Sequence, residues 1–399
     1  MSLNTNPANW ENVKIGTYAI CKNEIKHIDI WLPLVWNNGN GSDYICILDT
    51  GSTDGTYEKF IEKSKELNIP EDRFIIKQTS YTKFRFDVAR NDNLDQIPKD
   101  KVDVCFSLDI DEYIDVDFWN DLRKLVFEHP DFDRIYYRYE QRTNLIFWYD
   151  KCHSPNNWIW KEPVHEYLYN QEKGLNIKGY YLDTNKLYLV HHQDKVKSRT
   201  FYLDLLKERC KEDPNDIYSL YYIGAILCEE DTDYIQAISY FEKCAIRAKH
   251  VNVPTYQVIT NSFYKMGKCY YLLGGHPDMV EFYYKLAIEE DKTFGAAYIE
   301  LAQFYAYQGL TELARKTLAE YDTNAIIVER WDNRPHLWTR WKRCQILGIV
   351  LCWEGKYEEA MQTFIEGEQS ITEEYKGVAY SSGFYSDMNW CKNKLESKK

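Results

Sequence analysis

The sequence predicts an α/β N-terminal domain with a Rossmann-like, mostly parallel sheet, followed by an all-α domain of helical repeats. Up to about residue 131, short apolar runs alternate with amphipathic stretches, which is the pattern of βαβ units. From about residue 200 onward no strand pattern remains, and small residues recur at helix-packing spacings. The two halves therefore have different periodicities, and we expect them to fold as different domains.

The first half begins with four predicted strands, each followed by a predicted helix. The strands cover residues 13–20, 44–49, 73–78 and 102–110, and the helices cover 23–38, 54–68, 86–97 and 115–129. Pro33 is compatible with the first helix only as a kink or near its end. Runs rich in Tyr, Arg and Trp at 133–140, 145–150 and 186–192 then predict an antiparallel or mixed extension of the sheet.

The second half reads as four helix pairs, at 219–248, 262–291, 296–322 and 343–368. Small residues such as Gly224, Gly267 and Gly348 stand where two helices would touch. A helix–turn–helix period near 34 residues is typical of tetratricopeptide repeats. Such repeats bury a continuous core by stacking and leave a concave groove. The alternative is an irregular α-helical bundle.

Composition narrows the possible partners and the location. The formal net charge of −13 disfavours nucleic acid and anionic lipid as partners. The 11 cysteines include no C-x-x-C spacing, so reduced thiols in a cytoplasmic protein are expected. No apolar run is long enough for a transmembrane segment. We expect a flexible tail at 1–12, the α/β domain at 13–200 and the repeat domain at 201–399.

Acidic residues follow the fourth predicted strand, in the segment FSLDIDEYI. Ligands of open α/β sheets bind outside the carboxyl ends of the strands. Asp109 and Asp111 would project to one side if the strand continued through them, and two carboxylates suit Mg²⁺ or Mn²⁺ that also holds a diphosphate. The alternative is a solvated acidic loop after the strand.

Other polar residues stand near the same predicted edge. Asp49 ends a buried strand and needs a hydrogen-bond donor, which a nucleotide base or ribose could supply. Arg90 could meet a phosphate or form a simple ion pair. Two further segments, WKEPVHEYL and LYLVHHQ, add His165, Glu166 and His191. Two His/acid clusters beside one cleft favour a functional role over a structural one.

Taken in order, YAICKNE, ILDTGSTDGT, FDVARN, FSLDIDE, EPVHE and LVHH resemble the motifs of inverting, family 2 glycosyltransferases of the GT-A fold. The resemblance is greatest to the subgroup in which tetratricopeptide repeats follow the transferase domain. It covers roughly residues 13–200 for the transferase and 200–370 for the repeats.

The resemblance implies roles for residues at three parts of one site. Nucleotide contacts are implied for Glu24, Asp49, Arg90 and Asp109. Metal ligation is implied for Asp109, Asp111 and His191. The general base is implied to be Glu166, with His165 beside it.

The function implied is a metal-dependent transfer, with inversion, of a sugar from a nucleotide-sugar donor, expected to be a UDP-sugar, to a glycan or protein acceptor. Mn²⁺ or Mg²⁺ would neutralise the leaving diphosphate, and the repeats would dock the acceptor or a protein partner, or self-associate. The alternative is a non-catalytic repeat scaffold or binding protein with a degenerate transferase domain. A nucleotidyltransferase is a third hypothesis, but CKNEIKH lacks the Gly-rich phosphate loop usual in that class.

Overall fold

The structure is a computed structural model that describes residues 9–142, 145–192, 202–250, 256–325, 337–371 and 376–397. The chain separates into two compact units, Met1–Lys197 and Ser198–Lys399, called here the α/β unit and the helical unit. Of the expected tail at 1–12, residues 1–8 lie outside the described residues, and Trp10–Asn12 forms a single 3₁₀ turn.

The α/β unit contains eleven strands among its described residues, and four α-helices accompany them. The strands are β1 (Ile15–Cys21), β2 (Tyr44–Asp49), β3 (Phe74–Gln78), β4 (Val104–Ser107), β5 (Glu112–Ile114), β6 (Arg134–Arg142), β7 (Leu145–His153), β8 (Trp158–Lys161), β9 (Tyr167–Asn170), β10 (Gly179–Tyr181) and β11 (Leu189–His191). The helices are α1 (Ile28–Trp36), α2 (Thr56–Glu66), α3 (Phe86–Leu94) and α4 (Asp117–Glu128).

The main sheet is mixed. Its order is β3-β2-β1-β4-β7-β6-β11-β5, with β10 paired to β6. The first four strands in the chain are parallel to one another, as the prediction requires. Strand β7 then runs antiparallel to both β4 and β6, and β11 runs antiparallel to β5. The prediction of a mostly parallel sheet is therefore confirmed only for this first part, and the later Tyr-rich strands make the whole sheet mixed.

Helix α1 shows how the sequence pattern produces the packing. Its buried side chains recur at helical spacing, so that one apolar face covers the sheet. On that face, Trp31 is fully buried and donates its indole N–H to the Asp109 carbonyl at 2.9 Å. Pro33 lies inside the helix, and the left-handed conformation of Asn37 ends it. The helix thereby anchors the turn that carries the acidic residues.

The helical unit contains only helices among its described residues. They are α5 (Tyr202–Glu212), α6 (Ile217–Glu229), α7 (Tyr234–Ala248), α8 (Tyr256–Leu273), α9 (Pro277–Glu290), α10 (Gly295–Tyr307), α11 (Thr311–Asn324), α12 (Leu337–Trp353), α13 (Tyr357–Gln369), α14 (Lys376–Ser381) and α15 (Phe384–Glu396). Helices α6 to α13 pack as four successive pairs.

A glycine on the first helix of a pair repeatedly receives an aromatic ring from the second helix. A Cβ atom at Gly224 would lie 2.8 Å from Phe241, and one at Gly267 would lie 2.7 Å from Tyr284. The same relation holds between Gly348 and Phe364, at 2.7 Å. The prediction of tetratricopeptide-like repeats is confirmed by this recurring packing. Across the described residues, no helix is both long and apolar enough to cross a membrane.

Candidate functional site

The carboxyl ends of β1, β2 and β4 lie side by side, and the acidic segment follows β4 at this edge. Strand β4 ends at Ser107, so Asp109 and Asp111 lie in the turn before β5. The strand predicted at 102–110 therefore ends earlier than expected, because the backbone turns there and the Asp109 carbonyl accepts a hydrogen bond from the Glu112 amide at 3.0 Å.

The cation among these acids belongs to the protein itself. Lys151, on β7, places its Nζ 2.7 Å from Asp109 Oδ2 and 3.3 Å from Glu112 Oε1, and only 7% of its side chain is exposed. Burial alone would raise the pKa of Asp109, but Arg90 and Lys151 hold it well below its usual range. Burial raises the pKa of Glu112 to about 7, although Lys151 opposes that shift.

Arg90 joins two of the predicted site residues. Its Nη1 lies 2.9 Å from Asp109 Oδ1, and its Nε donates to Glu166 Oε1 at 2.6 Å. The guanidinium carbon also lies 4.8 Å from the ring centroid of Trp160. The structure therefore brings Arg90, Asp109 and Glu166 together. Glu166, the predicted general base, forms a partly buried ion pair with this permanent cation, and its role as a base stays a prediction.

Asp111 and His191 form a second contact at the same edge. His191 Nε2 lies 3.0 Å from Asp111 Oδ2. The backbone N–H of His192 donates to the Asp111 carbonyl at 2.7 Å, which fixes the turn against β11. Burial favours neutral His191, but Asp111 outweighs burial and raises the pKa of the imidazole. Two of the three predicted metal ligands are thus adjacent.

The third predicted ligand does not complete a metal centre. Both oxygens of Asp109 are ion-paired, one to Arg90 and the other to Lys151. Within the described part of the chain, no group of three His, Cys, Asp or Glu side chains is arranged to hold a metal ion. This arrangement does not fit a divalent ion held jointly by Asp109, Asp111 and His191, because the protein's own cations occupy that carboxylate.

Asp49 has a local structural explanation. Its side chain is fully buried at the end of β2. Its Oδ1 accepts the backbone N–H groups of Gly51 at 2.9 Å and Ser52 at 2.8 Å. Gln78 donates to the same oxygen at 3.3 Å. The hydrogen-bond donors that a nucleotide could have supplied are therefore provided by the turn after β2 and by Gln78 on β3.

Glu24 and His165 lie in the loops of this edge. The Glu24 backbone N–H donates to Thr56 Oγ1 at 2.9 Å, and its carboxylate lies 3.8 Å from His27 Nε2. His165 is exposed and has a left-handed backbone with φ of 57°, as does Glu162 with φ of 76°. Such conformations are costly outside glycine and concentrate at ligand sites and switch regions.

Sequence reasoning missed several residues of this site. Lys151 is the most important, and its signal is a lysine that closely follows the apolar and aromatic run LIFWY within β7. His27 and Tyr113 were also missed, although His27 Nδ1 lies 2.8 Å from the Tyr113 hydroxyl. The Tyr113 ring in turn stacks on His192 at 4.2 Å. These contacts join segments distant in the chain, so local patterns could not reveal them.

The solved structures that are similar to this chain cover half of it or less in the cases described here. No protein-family model and no curated protein matches this chain. One solved structure is YrrB, described as a TPR protein with an unusual peptide-binding site. It is 15% identical, covers 45% of this chain and 80% of its own, and has a TM-score of 0.32. Another is a thermophilic TPR protein of Thermus thermophilus, with 14% identity, coverage of 47% and 88%, and a TM-score of 0.33. A third is MamA of Desulfovibrio magneticus, with 19% identity, coverage of 42% and 82%, and a TM-score of 0.32.

The prediction of a metal-dependent, inverting glycosyltransferase is corrected by these findings. The solved structures named above are TPR proteins, and none of these is described as a glycosyltransferase. The geometry agrees, because Lys151 and Arg90 neutralise the acid expected to hold the metal. The nucleotide-sugar donor, the glycan acceptor and the Mn²⁺ or Mg²⁺ cofactor are left without support. That the α/β unit is an enzyme stays a prediction.

Proposed function

We propose that this protein is a binding protein whose helical unit holds an extended peptide segment of a protein partner. We call the first helix of each pair an inner helix. The inner helices are α6, α8, α10 and α12. Helix α6 contacts α8, and α10 contacts α12. In stacked helical repeats, such a layer lines the concave surface that binds partners.

The observation that carries this proposal is a strip of shielded charges across the inner helices. Glu300 on α10 interacts electrostatically with Lys268 and Lys265 on α8 and with Lys342 on α12. Burial raises the pKa of Glu300 and lowers that of Lys342. Lys342 is only 9% exposed and donates to Gln345 Oε1 at 3.0 Å. We call these four charged residues, Lys265, Lys268, Glu300 and Lys342, the charged strip.

A recessed strip with both signs of charge suits the backbone of an extended peptide. Peptide N–H groups can donate to a carboxylate such as Glu300, and peptide carbonyls can accept from lysines. Hydrogen bonds to charged groups are stronger where water is excluded. The competing explanation is that the strip only ties neighbouring helices together, and the experiment below separates the two.

The α/β unit is proposed to be the degenerate transferase-like part of the same protein. The strand order β3-β2-β1-β4 supports a Rossmann-like half related to the GT-A fold, because successive parallel strands are added on one side of β1 up to β3 and on its other side from β4. The ion pairs of Asp109 support the loss of a metal role. An activity test is independent of the peptide test: nucleotide release from a panel of UDP- and GDP-sugars with Mn²⁺ would show that this unit is an enzyme.

The peptide test uses the full chain and a displayed library of random dodecapeptides. We expect enriched sequences that bind the parent protein and lose at least tenfold in affinity for Glu300→Gln. The matched control is Glu312→Gln, which changes an exposed glutamate on α11. No enrichment on folded parent protein would contradict the proposal. Equal binding to the two variants would also contradict it, because the strip would then be structural.

A further inference from the structure

A cavity of about 280 Å³ lies between α12 and α15, at one end of the layer of inner helices. Its walls include the indoles of Trp353 on α12 and Trp390 on α15, and Phe364 lies among its lining residues. A volume of this size is close to the lower end of ligand pockets. It suits one side chain of a partner better than a whole cofactor.

Two tryptophans of this cavity are unusually exposed. Trp353 is 57% exposed and Trp390 is 47% exposed, although tryptophan is highly buried on average. Tyr307 on α10 is 48% exposed and Tyr271 on α8 is 39% exposed. Exposed aromatic residues thus occur on three successive inner helices and on α15, which indicates a surface that a partner covers.

One charged residue, Asp387, is among the residues that line the cavity. Gln345 on α12 donates to its Oδ2 at 2.6 Å and orients the carboxylate. Burial raises the pKa of Tyr307 and the negative charge of Asp387 adds to that shift, so the cavity lies near the row of exposed aromatics. A carboxylate that lines a cavity together with two indoles is a combination that recognises a cation, because both the charge and the aromatic faces attract it.

We propose that this cavity receives an arginine side chain of the partner's peptide segment, stacked against Trp353 and Trp390 and paired with Asp387. The planar guanidinium suits this site better than an ammonium, since it stacks on indoles and forms forked hydrogen bonds with carboxylates. The inference rests on the proposed peptide-binding function and names the chemistry of the bound segment.

Two lysines of the protein face the same region. Lys342 is one of the charges that act on Asp387, but its ammonium donates to Gln345 Oε1 at 3.0 Å and does not belong to the cavity lining. Lys394 Nζ lies 5.4 Å from the Trp390 ring centroid. One face of this indole therefore already has a cation of the chain beside it, which is a position that cations favour. Glu358 lies near Cys391 and adds negative charge on α13.

The probe is the peptide most enriched from the dodecapeptide library on the full chain, resynthesised with its arginine replaced by citrulline. Citrulline keeps the shape of the side chain and removes its charge. We expect arginine at one position of the enriched sequences and at least a tenfold loss of affinity on replacement by citrulline. For Asp387→Asn, which can still accept from Gln345, the arginine and citrulline peptides should differ by less than twofold.

Trp353→Ala is expected to weaken binding of the arginine peptide about tenfold. Tyr380→Ala, which removes a 76% exposed aromatic on α14 outside the cavity lining, should leave it unchanged. Enriched peptides without arginine would overturn this inference while leaving the proposed function intact. No enriched peptide at all would overturn both. Equal binding of the arginine and citrulline peptides to the parent protein would also overturn the inference, and thermal unfolding of each variant checks that it is folded.

Discussion

At the scale of single residues, buried ion pairs determine the charge states of the acidic residues after β4 in the α/β unit. Lys151 is surrounded by Asp109 and Glu112, and the ring of Tyr149 lies 4.8 Å from its Nζ. Burial would lower the pKa of Lys151, but the two carboxylates outweigh burial and raise it. The residue is therefore a permanent cation at the place where a metal was expected.

Replacing Lys151 with methionine should destabilise the protein by about 3 kcal/mol, because it leaves two buried carboxylates without one of their cations. The loss is limited because Glu112, with its pKa near 7, can take up a proton. Urea unfolding at pH 7 measures the change. Lys178→Met, which removes an exposed lysine paired with Asp131 at the surface, is the control and should change stability little. Equal losses of stability in the two variants would show that the buried ion pairs of Lys151 contribute no more than the exposed ion pair of Lys178.

His153 makes the stability of the α/β unit sensitive to acid. Its Nδ1–H donates to the Ser154 carbonyl at 2.8 Å, and its Nε2 accepts from the Tyr18 hydroxyl at 2.9 Å. Burial lowers the pKa of His153 to about 3. Between about pH 6.5 and 3 the unfolded chain therefore binds a proton that the folded chain does not, so stability falls as the pH falls through this range.

The expected size of this effect is about 2 kcal/mol between pH 7 and pH 5, from one proton and a pKa difference of this order. His153→Gln removes the titration and should flatten that part of the curve of unfolding free energy against pH. His276→Gln, at an exposed histidine, should keep the slope of the parent. If the slope of unfolding free energy against pH is unchanged in His153→Gln, then His153 binds a proton as readily in the folded chain as in the unfolded chain.

At the scale of elements, the helix pairs depend on the absence of side chains at specific glycines. Alanine normally favours a helix over glycine by about 1 kcal/mol. At Gly267, however, the added Cβ would lie 2.7 Å from the ring of Tyr284, which is 1% exposed and cannot move freely. Steric overlap in a packed interior typically costs about 1–3 kcal/mol, so it outweighs the gain in helix propensity.

Gly267→Ala should therefore lower the free energy of unfolding of the helical unit by about 1–2 kcal/mol. Gly377→Ala is a matched control on α14, because nothing lies within 4 Å of the position of its Cβ. That control should leave stability unchanged or raise it by up to about 1 kcal/mol. Chemical denaturation followed by circular dichroism measures both variants. A stabilised Gly267→Ala would show that the two helices can separate at no cost.

At the scale of the whole molecule, each unit has hydrophobic clusters of its own. The largest cluster in the α/β unit surrounds Trp31 and Trp119. In the helical unit, one cluster surrounds Tyr298 and another surrounds Trp341. A domain with its own core can unfold as a cooperative unit, and a chain with two such domains departs from two-state behaviour.

Calorimetry of the full chain is therefore expected to show two transitions. Gly267→Ala should lower the midpoint of one transition, and Lys151→Met should lower that of the other. The parent protein at the same pH and scan rate is the reference. One transition shifted equally by both variants would indicate that the two units unfold together.

Local patterns predicted much of the secondary structure. The strand predicted at 44–49 coincides with β2, because a continuous apolar run ending in turn residues determines both of its ends. The strand predicted at 102–110 was too long. Its apolar character continues through Leu108 and Ile110, which are buried in the turn rather than in the ladder. Hydrophobicity reports burial, and burial is not confined to strands.

The sequence by itself determined the succession of strands and helices, the change to helical repeats near residue 200, and the glycines at which helices touch. These follow from side-chain periodicity and size, which act over a few residues. Only the tertiary structure decided that Lys151 and Arg90 neutralise Asp109, that Glu166 pairs with Arg90, and that two exposed indoles line one cavity with Asp387. Those contacts join residues far apart in the chain, and the charge state of a buried group depends on every neighbour that folding brings to it.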